Sequence, residues 1–326
     1  MLQDQFGSVH DYLRISLTDA CNMRCTYCMP EEKTPCMPSG KLMTVAEIEM
    51  LARVFVQNGV RKIRLTGGEP LVRKEAREII ERLARLPVEL TLTTNGVLAD
   101  EFLDTFLKAG IRSLNVSMDS LRPNAFFSIT KRDYSEQVRR NIMLLLDAGL
   151  HVKINTVVMR GVNDHEVPDF IEMTRNLPLH VRFIEFMPFD GNHWEHQKVV
   201  PAAELLERIS QDFEFVKLKD EVHDTAKKFT VLNHAGTFAL ISTMSAHFCS
   251  GCNRLRLTAD GKMKNCLFSK NEMDLLTPLR NGLDVAPLIH DCLNLKAREL
   301  GGQLQPDYQN IDAETLKNRS MIAIGG

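Results

Sequence analysis

The stretch Tyr12-Leu13-Arg14-Ile15-Ser16-Leu17-Thr18-Asp19-Ala20-Cys21-Asn22-Met23-Arg24-Cys25-Thr26-Tyr27-Cys28-Met29-Pro30 organises the rest of the chain. Residues 12–17 are rich in β-formers and end at a polar corner, and three cysteines follow as Cys-x3-Cys-x2-Cys. The pattern is a loop of thiols hung on a strand end. Three thiols so close cannot all bridge one another, and zinc usually takes two ligands from each tight pair to close a tetrahedron. An iron–sulfur cluster suits them better. With Cys21, Cys25 and Cys28 on three irons of a 4Fe–4S cluster, the fourth iron has no protein ligand in this stretch and is open to a small molecule. Buried small hydrophobes, a zinc site and a disulfide are the other readings of these cysteines.

The chain has 326 residues, 44% hydrophobic and 25% charged, which is enough for one large domain and a smaller one. A net charge of −2 argues against nucleic-acid binding over a broad surface, so any anion site should be a local cluster of Arg and Lys. No apolar run reaches the length of a membrane span, and the first ten residues lack the regions of a signal peptide, so a cytoplasmic location is expected. In a reducing cytosol eight cysteines point to metal or catalysis rather than bridges, and an oxygen-sensitive cluster predicts activity only at low oxygen.

Strand patterns at 12–17, 62–66, 89–94, 113–118, 151–158 and 180–186 alternate with helix patterns at 44–58, 74–85, 99–109, 135–148 and 167–176. The first helix carries its own punctuation: Thr44 as N-cap, Glu47 three residues on, and Gly59 after the end. Six strands with helical crossovers, repeating about every thirty residues, predict an α/β fold: an incomplete (β/α)6 barrel of the triosephosphate-isomerase type over residues 1–190. Functional groups are then expected at the strand C-terminal ends. After Pro188 the texture changes. Residues 190–196 read as a polar, solvated loop in which His193 and His196 are weak ligand candidates beside Trp194. A helix at 202–209 and short antiparallel strands at 213–218, 228–232 and 237–241 make residues 191–326 an α+β extension.

Three strand-end motifs add to the cysteine loop. Thr66-Gly67-Gly68-Glu69-Pro70 exposes backbone groups to a ligand, or is simply a tight turn. Residues 115–119 and 183–188 end two further strands and contribute Ser117 and Met187. Together with Tyr27, just before the last cysteine, these features resemble the signature of the radical S-adenosylmethionine (SAM) enzymes. The resemblance implies that SAM chelates the open iron and is cleaved by one electron to a 5′-deoxyadenosyl radical. It also implies SAM contacts at Tyr27, Gly68, Ser117 and Met187, with the Glu69 carboxylate and nearby backbone on the SAM amine.

A second group, Cys249, Cys252 and Cys266, surrounds a hairpin with its turn at Asp260-Gly261. Read alone, it could be a zinc ribbon completed by His247. Against this, Arg254 and Arg256 stand beside the thiols, and forked donors suit phosphate oxygens. The Cys-x3-Cys-x2-Cys, Gly-Gly-Glu-Pro, Cys-x2-Cys-x13-Cys and Cys-Asn-Arg-Leu-Arg motifs, with the terminal Gly325-Gly326, resemble the GTP 3′,8-cyclase family of molybdenum cofactor biosynthesis from Arg14 to the end of the chain. Cys36 and Cys292 fall outside that pattern and read as plain thiols.

The resemblance implies two 4Fe–4S clusters, one making the radical that takes the C3′ hydrogen of GTP, the other holding the purine. Attack of C3′ on C8 then yields 3′,8-cyclo-7,8-dihydro-GTP, the precursor of cyclic pyranopterin monophosphate. It implies GTP contacts at Arg14, Arg64, Thr93, Lys153, Arg254, Leu255 and Arg256, and a catalytic role for Arg14 and the Gly325-Gly326 tail. Several of these cations could converge on a triphosphate of about four negative charges. The partners implied are GTP, an electron donor such as flavodoxin or ferredoxin, and cyclic pyranopterin monophosphate synthase as the next enzyme, with no nucleic acid and no membrane. Monomer and homodimer both stay open, as do a peptide-modifying twin-cluster maturase and a non-catalytic zinc module.

Overall fold

The computed structural model describes residues 1–29 and 36–325, so Pro30 of the opening stretch and Gly326 of the tail lie outside the described residues. All six expected strands form: β1 (Tyr12–Ser16), β2 (Lys62–Thr66), β3 (Glu89–Thr94), β4 (Ser113–Ser117), β5 (His151–Val158) and β6 (His180–Glu185). They pair parallel in chain order, each joined to the next by helical crossover. The helices are α1 (Val45–Gln57), α2 (Ala76–Leu83), α3 (Ala99–Lys108), α4 (Pro123–Thr130), α5 (Ser135–Asp147) and α6 (Val167–Met173). Thr44 and Glu47 form the expected reciprocal capping box at the start of α1.

The strands after residue 190 do not make a separate sheet. They are β7 (Phe215–Lys217), β8 (Lys227–Val231), β9 (Thr237–Ile241), β10 (Arg254–Leu257), β11 (Lys262–Lys264) and β12 (Met273–Asp274). The whole sheet runs β12-β11-β10-β1-β2-β3-β4-β5-β6-β9-β8-β7. Here β9 is antiparallel to β8, as expected, but parallel to β6, and β10 is parallel to β1. A six-stranded parallel sheet leaves a row of unpaired backbone groups at each edge, and β9 and β10 satisfy them. The parallel part therefore has eight strands, from β10 to β9, and the ends of the whole sheet, β12 and β7, do not pair among the described residues, so the sheet stays open.

Alternation along the strands divides the two faces. Leu13, Ile15, Ile63, Leu65, Leu92, Leu114, Val152, Ile154, Val181, Leu255 and Leu257 are fully buried on the outer face, against the helices. Between them, Arg14, Arg64, Thr93, Asn115, Lys153, Asn155, Arg182, Arg254 and Arg256 point the other way. Parallel strands buried on both faces usually read as continuous apolar runs. The polar inner face marks a barrel lined for a ligand rather than filled by side chains.

Helix α4 has no counterpart in the sequence reading, because Ala125 to Thr130 is rich in aromatic and β-branched residues; Pro123 at its first turn starts it. The loop at 190–196 is solvated at its histidines, as expected, with His193 and His196 exposed, but two of its side chains turn inward. Trp194 is buried and donates from Nε1 to the Phe186 carbonyl at 2.9 Å, while Asn192 bonds the Met187 carbonyl at 2.8 Å. The indole brings enough apolar area to fold an otherwise polar loop onto the end of β6. The helix after this loop is α7 (Ala202–Asp212).

Candidate functional site

The corner after β1 is held from two sides. Arg24 and Thr26 donate backbone N–H groups to the Thr130 and Ile129 carbonyls at the end of α4, and Gly68 and Glu69 donate theirs to the Thr18 and Ala20 carbonyls. The approach at Gly68 is so close that a Cβ there would lie 2.5 Å from the Ala20 oxygen. Glu69 is fully buried and accepts from Leu71 N, Thr94 Oγ1 and Asn95 N, so its carboxylate is engaged in holding the ends of β2 and β3 together. Burial nevertheless lifts it to about 7. Cys21, Cys25, Cys28, Tyr27, Gly68 and Ser117 face one cavity. The Tyr27 hydroxyl donates to Asp119 at 2.6 Å, and Asp119, pushed by burial to about 6, also accepts the Val157 N–H. Burial and their acidic neighbours raise all three thiols, Cys21 to about 11.

A second cavity is lined by Cys249, Cys252, Cys266, Arg14, Arg254 and Arg256. Thr93, Asn155, Ile184, Met187 and Met321 line both cavities, so the two cysteine sets look onto one another across a common wall. Arg254 donates to the Cys252 sulfur at 3.6 Å, and although burial opposes it, that cation lowers the Cys252 thiol. Zinc would draw its sulfurs to about 3.8 Å from one another. Among the described residues no three His, Cys, Asp or Glu side chains converge tightly enough for a single metal ion. Thiols spaced round a cavity fit a larger, cube-shaped cluster between them. His247 does not complete a zinc site: its ring nitrogens face the carbonyls of Thr243 and Pro306, at 2.9 and 3.1 Å.

The barrel interior below carries more cations than anions. The Tyr12 ring lies 5.8, 5.6 and 5.9 Å from Arg14, Lys62 and Arg64, and its hydroxyl accepts from Arg64 Nε. Burial would raise that phenol, but Arg64 and Arg14 bring it down to about 7. Burial and neighbouring cations depress Arg14 to about 10, Arg182 to about 9 and Lys153 to about 8. Among the described residues the Nε atoms of Arg14 and Arg182 and the Asn115 side-chain carbonyl oxygen are buried without a partner. Such groups are costly unless something completes them, and acceptors for the two cations together with a donor for the amide would do so.

Residues 15–174 match the Radical SAM superfamily, and residues 179–300 match Molybdenum Cofactor Synthesis C. The mitochondrial GTP 3′,8-cyclase of Arabidopsis thaliana is 45% identical over 100% of this chain and 84% of its own length. GTP 3′,8-cyclase of Pelotomaculum thermopropionicum is 41% identical over 100% of both chains. This chain belongs to the GTP 3′,8-cyclase family of radical SAM enzymes. It also matches human molybdenum cofactor biosynthesis protein 1, at 44% identity over 99% of this chain, and spans 51% of that longer protein. In fold it is similar to Streptococcus suis SuiB, with a TM-score of 0.62 at 13% identity, covering 91% of this chain and 68% of that one.

Within this GTP 3′,8-cyclase fold the residues singled out from sequence are not all in one place. Met187, Thr93, Arg14, Arg254 and Arg256 meet at the cavities, and Arg64 stands behind Thr93, bonding it at 3.4 Å. Lys153 lies deeper on the same inner face, in register with Asn115 and His180. The Leu255 side chain is on the opposite face, in the core. Gly325 enters the barrel, and its carbonyl accepts from Arg256 Nη1. Cys21, Cys25, Cys28, Tyr27, Gly68, Ser117 and Met187 lie at or just past strand C-terminal ends, as expected, whereas Arg14, Arg64, Lys153, Arg254 and Arg256 lie within strands, deeper in the barrel. Cys36 and Cys292 line neither cavity. Sequence reasoning missed Tyr12, Asn115, Asn155 and Arg182; the signal available was their period-two spacing with Arg14, Ser117, Lys153 and Ile184.

Proposed function

We propose that this chain converts GTP to 3′,8-cyclo-7,8-dihydro-GTP, with one 4Fe–4S cluster on Cys21, Cys25 and Cys28 and another on Cys249, Cys252 and Cys266. The observation that carries this reading is the arrangement of two thiol sets facing joined cavities, with an under-neutralised cation cluster at their base. When bound at the first set, cluster and SAM supply a 5′-deoxyadenosyl radical for removal of the C3′ hydrogen.

The residues do the rest by binding and placement. Gly67 and Gly68, packed without side chains against the Thr18 to Ala20 backbone, bring their own backbone to the cavity that would take the SAM amine, Tyr27 and Ser117 line the same cavity, and Met187 offers a polarisable wall to the adenine. Arg14, Arg254 and Arg256 receive GTP between the two sets, and Arg64, Lys153 and Arg182 take its triphosphate below. Asn115 presents its unpartnered carbonyl oxygen to a ligand donor. Met321 closes the wall between the cavities and keeps water from the reacting carbons. By family resemblance a flavodoxin or ferredoxin supplies the electron, and cyclic pyranopterin monophosphate synthase takes the product.

The test is anaerobic incubation with SAM, dithionite and GTP, following 5′-deoxyadenosine and the cyclised nucleotide together. Both are expected to appear in step. Release of 5′-deoxyadenosine with GTP left intact would overturn the substrate assignment.

A further inference from the structure

The segment before the tail is moored to the loop that carries Cys266. The Lys317 N–H donates to Gln303 Oε1 at 3.1 Å, and Gln303 returns Nε2 to the Phe268 carbonyl. Asn318 donates to the Leu267 carbonyl at 3.0 Å and accepts from Lys264 Nζ at 3.0 Å. Arg319 then forks onto two carboxylates: Asp260 at the hairpin turn, at 2.8 and 2.9 Å, and Glu272, at 2.6 and 2.5 Å. Lys262 and Lys264 stand 3.7–4.0 Å from the same carboxylates and balance their charge. Paired forks of this kind fix both distance and angle, and all three side chains are at least four-fifths covered.

Beyond this anchor the chain has no slack. The short helix Met321–Ile324 leads to Gly325, whose φ of +83° suits glycine. A Cβ at that position would lie 2.4 Å from Thr66 Oγ1. A slip of the tail by one residue would put the Ile324 side chain there, so the register at which the tail enters the barrel has to be set from outside.

We propose that Arg319, clamped between Asp260 and Glu272, is a positioning residue that sets this register and so delivers the Gly325 carbonyl to Arg256. The role rests on the reading that the tail serves the cyclisation, and the two readouts below separate the proposals. In the iron-loaded protein, Arg319→Ala is expected to speed hydrogen exchange in the peptide covering 321–325 by about ten-fold while both iron sites stay filled. Arg319→Lys, which keeps the charge but cannot fork onto both carboxylates, is expected to give an intermediate rate. The yield of cyclised product per 5′-deoxyadenosine should fall in the same order. Unchanged exchange in Arg319→Ala overturns the clamp, as does loss of iron from the second site in both variants, which would make Arg319 a brace of the hairpin. Faster exchange with undiminished yield would uphold the clamp and overturn the catalytic reading of the tail.

Discussion

The two cysteine loops hang on the same sheet and present the same number of thiols, yet they lie in fields of opposite sign. Round Cys21, Cys25 and Cys28 the charged neighbours turned inward are Glu69 and Asp119, while Arg24 spends its guanidinium on the Cys21 and Met23 carbonyls. Round Cys249, Cys252 and Cys266 the cations Arg254, Arg256, Arg298 and Lys296, the last paired with Asp4, outnumber the one lining carboxylate, Glu299. A ligand carrying a sulfonium and an ammonium is favoured by the first, and a polyphosphate by the second. The difference in sign, more than the thiol count, supports the proposal that SAM takes one cavity and GTP the other.

The largest expected effects come from removing one thiol of each set. Cys25→Ala should abolish SAM cleavage, whereas Cys252→Ala should leave SAM cleavage in place and abolish GTP turnover. Iron analysis should fall from roughly eight to roughly four per chain in either variant. Equal loss of SAM cleavage in both would collapse the two loops into one function.

Removing the tail should act on neither field. Deletion of Gly325 and Gly326 is expected to leave iron content and GTP affinity intact while product formation is lost. Gly325→Ala should do the same, since its Cβ would meet Thr66 and Ser16. Unchanged product yield from the truncated protein would return the tail to an ordinary chain end.

A smaller effect tests the second field directly. Arg254→Ala or Arg256→Ala should weaken GTP binding by about 1.5–3 kcal/mol, the range for a lost charge-assisted hydrogen bond, while SAM affinity hardly moves. Titration calorimetry under anaerobic conditions measures both. Weakened SAM binding would put β10 at the wrong cavity.

The same contrast marks what was legible in the chain. Local signals read true: the six parallel strands, the Thr44–Glu47 cap and the two cysteine loops stand where period, cap chemistry and spacing put them. What escaped was non-local. Nothing in residues 237–241 or 254–257 announces that these strands close the two edges of a sheet begun over two hundred residues earlier in the case of β10. That pairing, with Tyr12 opposite Arg254 and Arg14 opposite Arg256, is what makes one wall of cations that the chain holds far apart in sequence. Arg182 and Tyr12 were missed for the same reason, because a residue's value to a barrel interior depends on neighbours in register rather than in sequence. Trp194 was a smaller omission: its indole pins to the end of β6 a loop whose other side chains, Asn192 apart, stay exposed.

The smallest expected effect is a loss of affinity with rising pH that is confined to the nucleotide. Lys153 titrates near 8 because burial and the cations Arg182 and Arg64 oppose its charge, and Tyr12 titrates near 7 because Arg64 and Arg14 outweigh its burial. Raising the pH from 7 to 9 therefore takes a proton from each: Lys153 loses a positive charge, and Tyr12 gains a negative one among the same cations. Both changes weaken attraction for a triphosphate, so GTP binding should weaken across this window, while SAM binding holds or tightens as Glu69, near 7, sheds its remaining proton. Lys153 alone, one pKa unit below pH 9, accounts for about ten-fold. Lys153→Met should lower affinity at pH 7 and flatten the upper part of the profile, while Tyr12→Phe should flatten the lower part. GTP affinity that rises from pH 7 to 9, or a SAM profile that follows it, would mean that the cation cluster serves something other than the triphosphate.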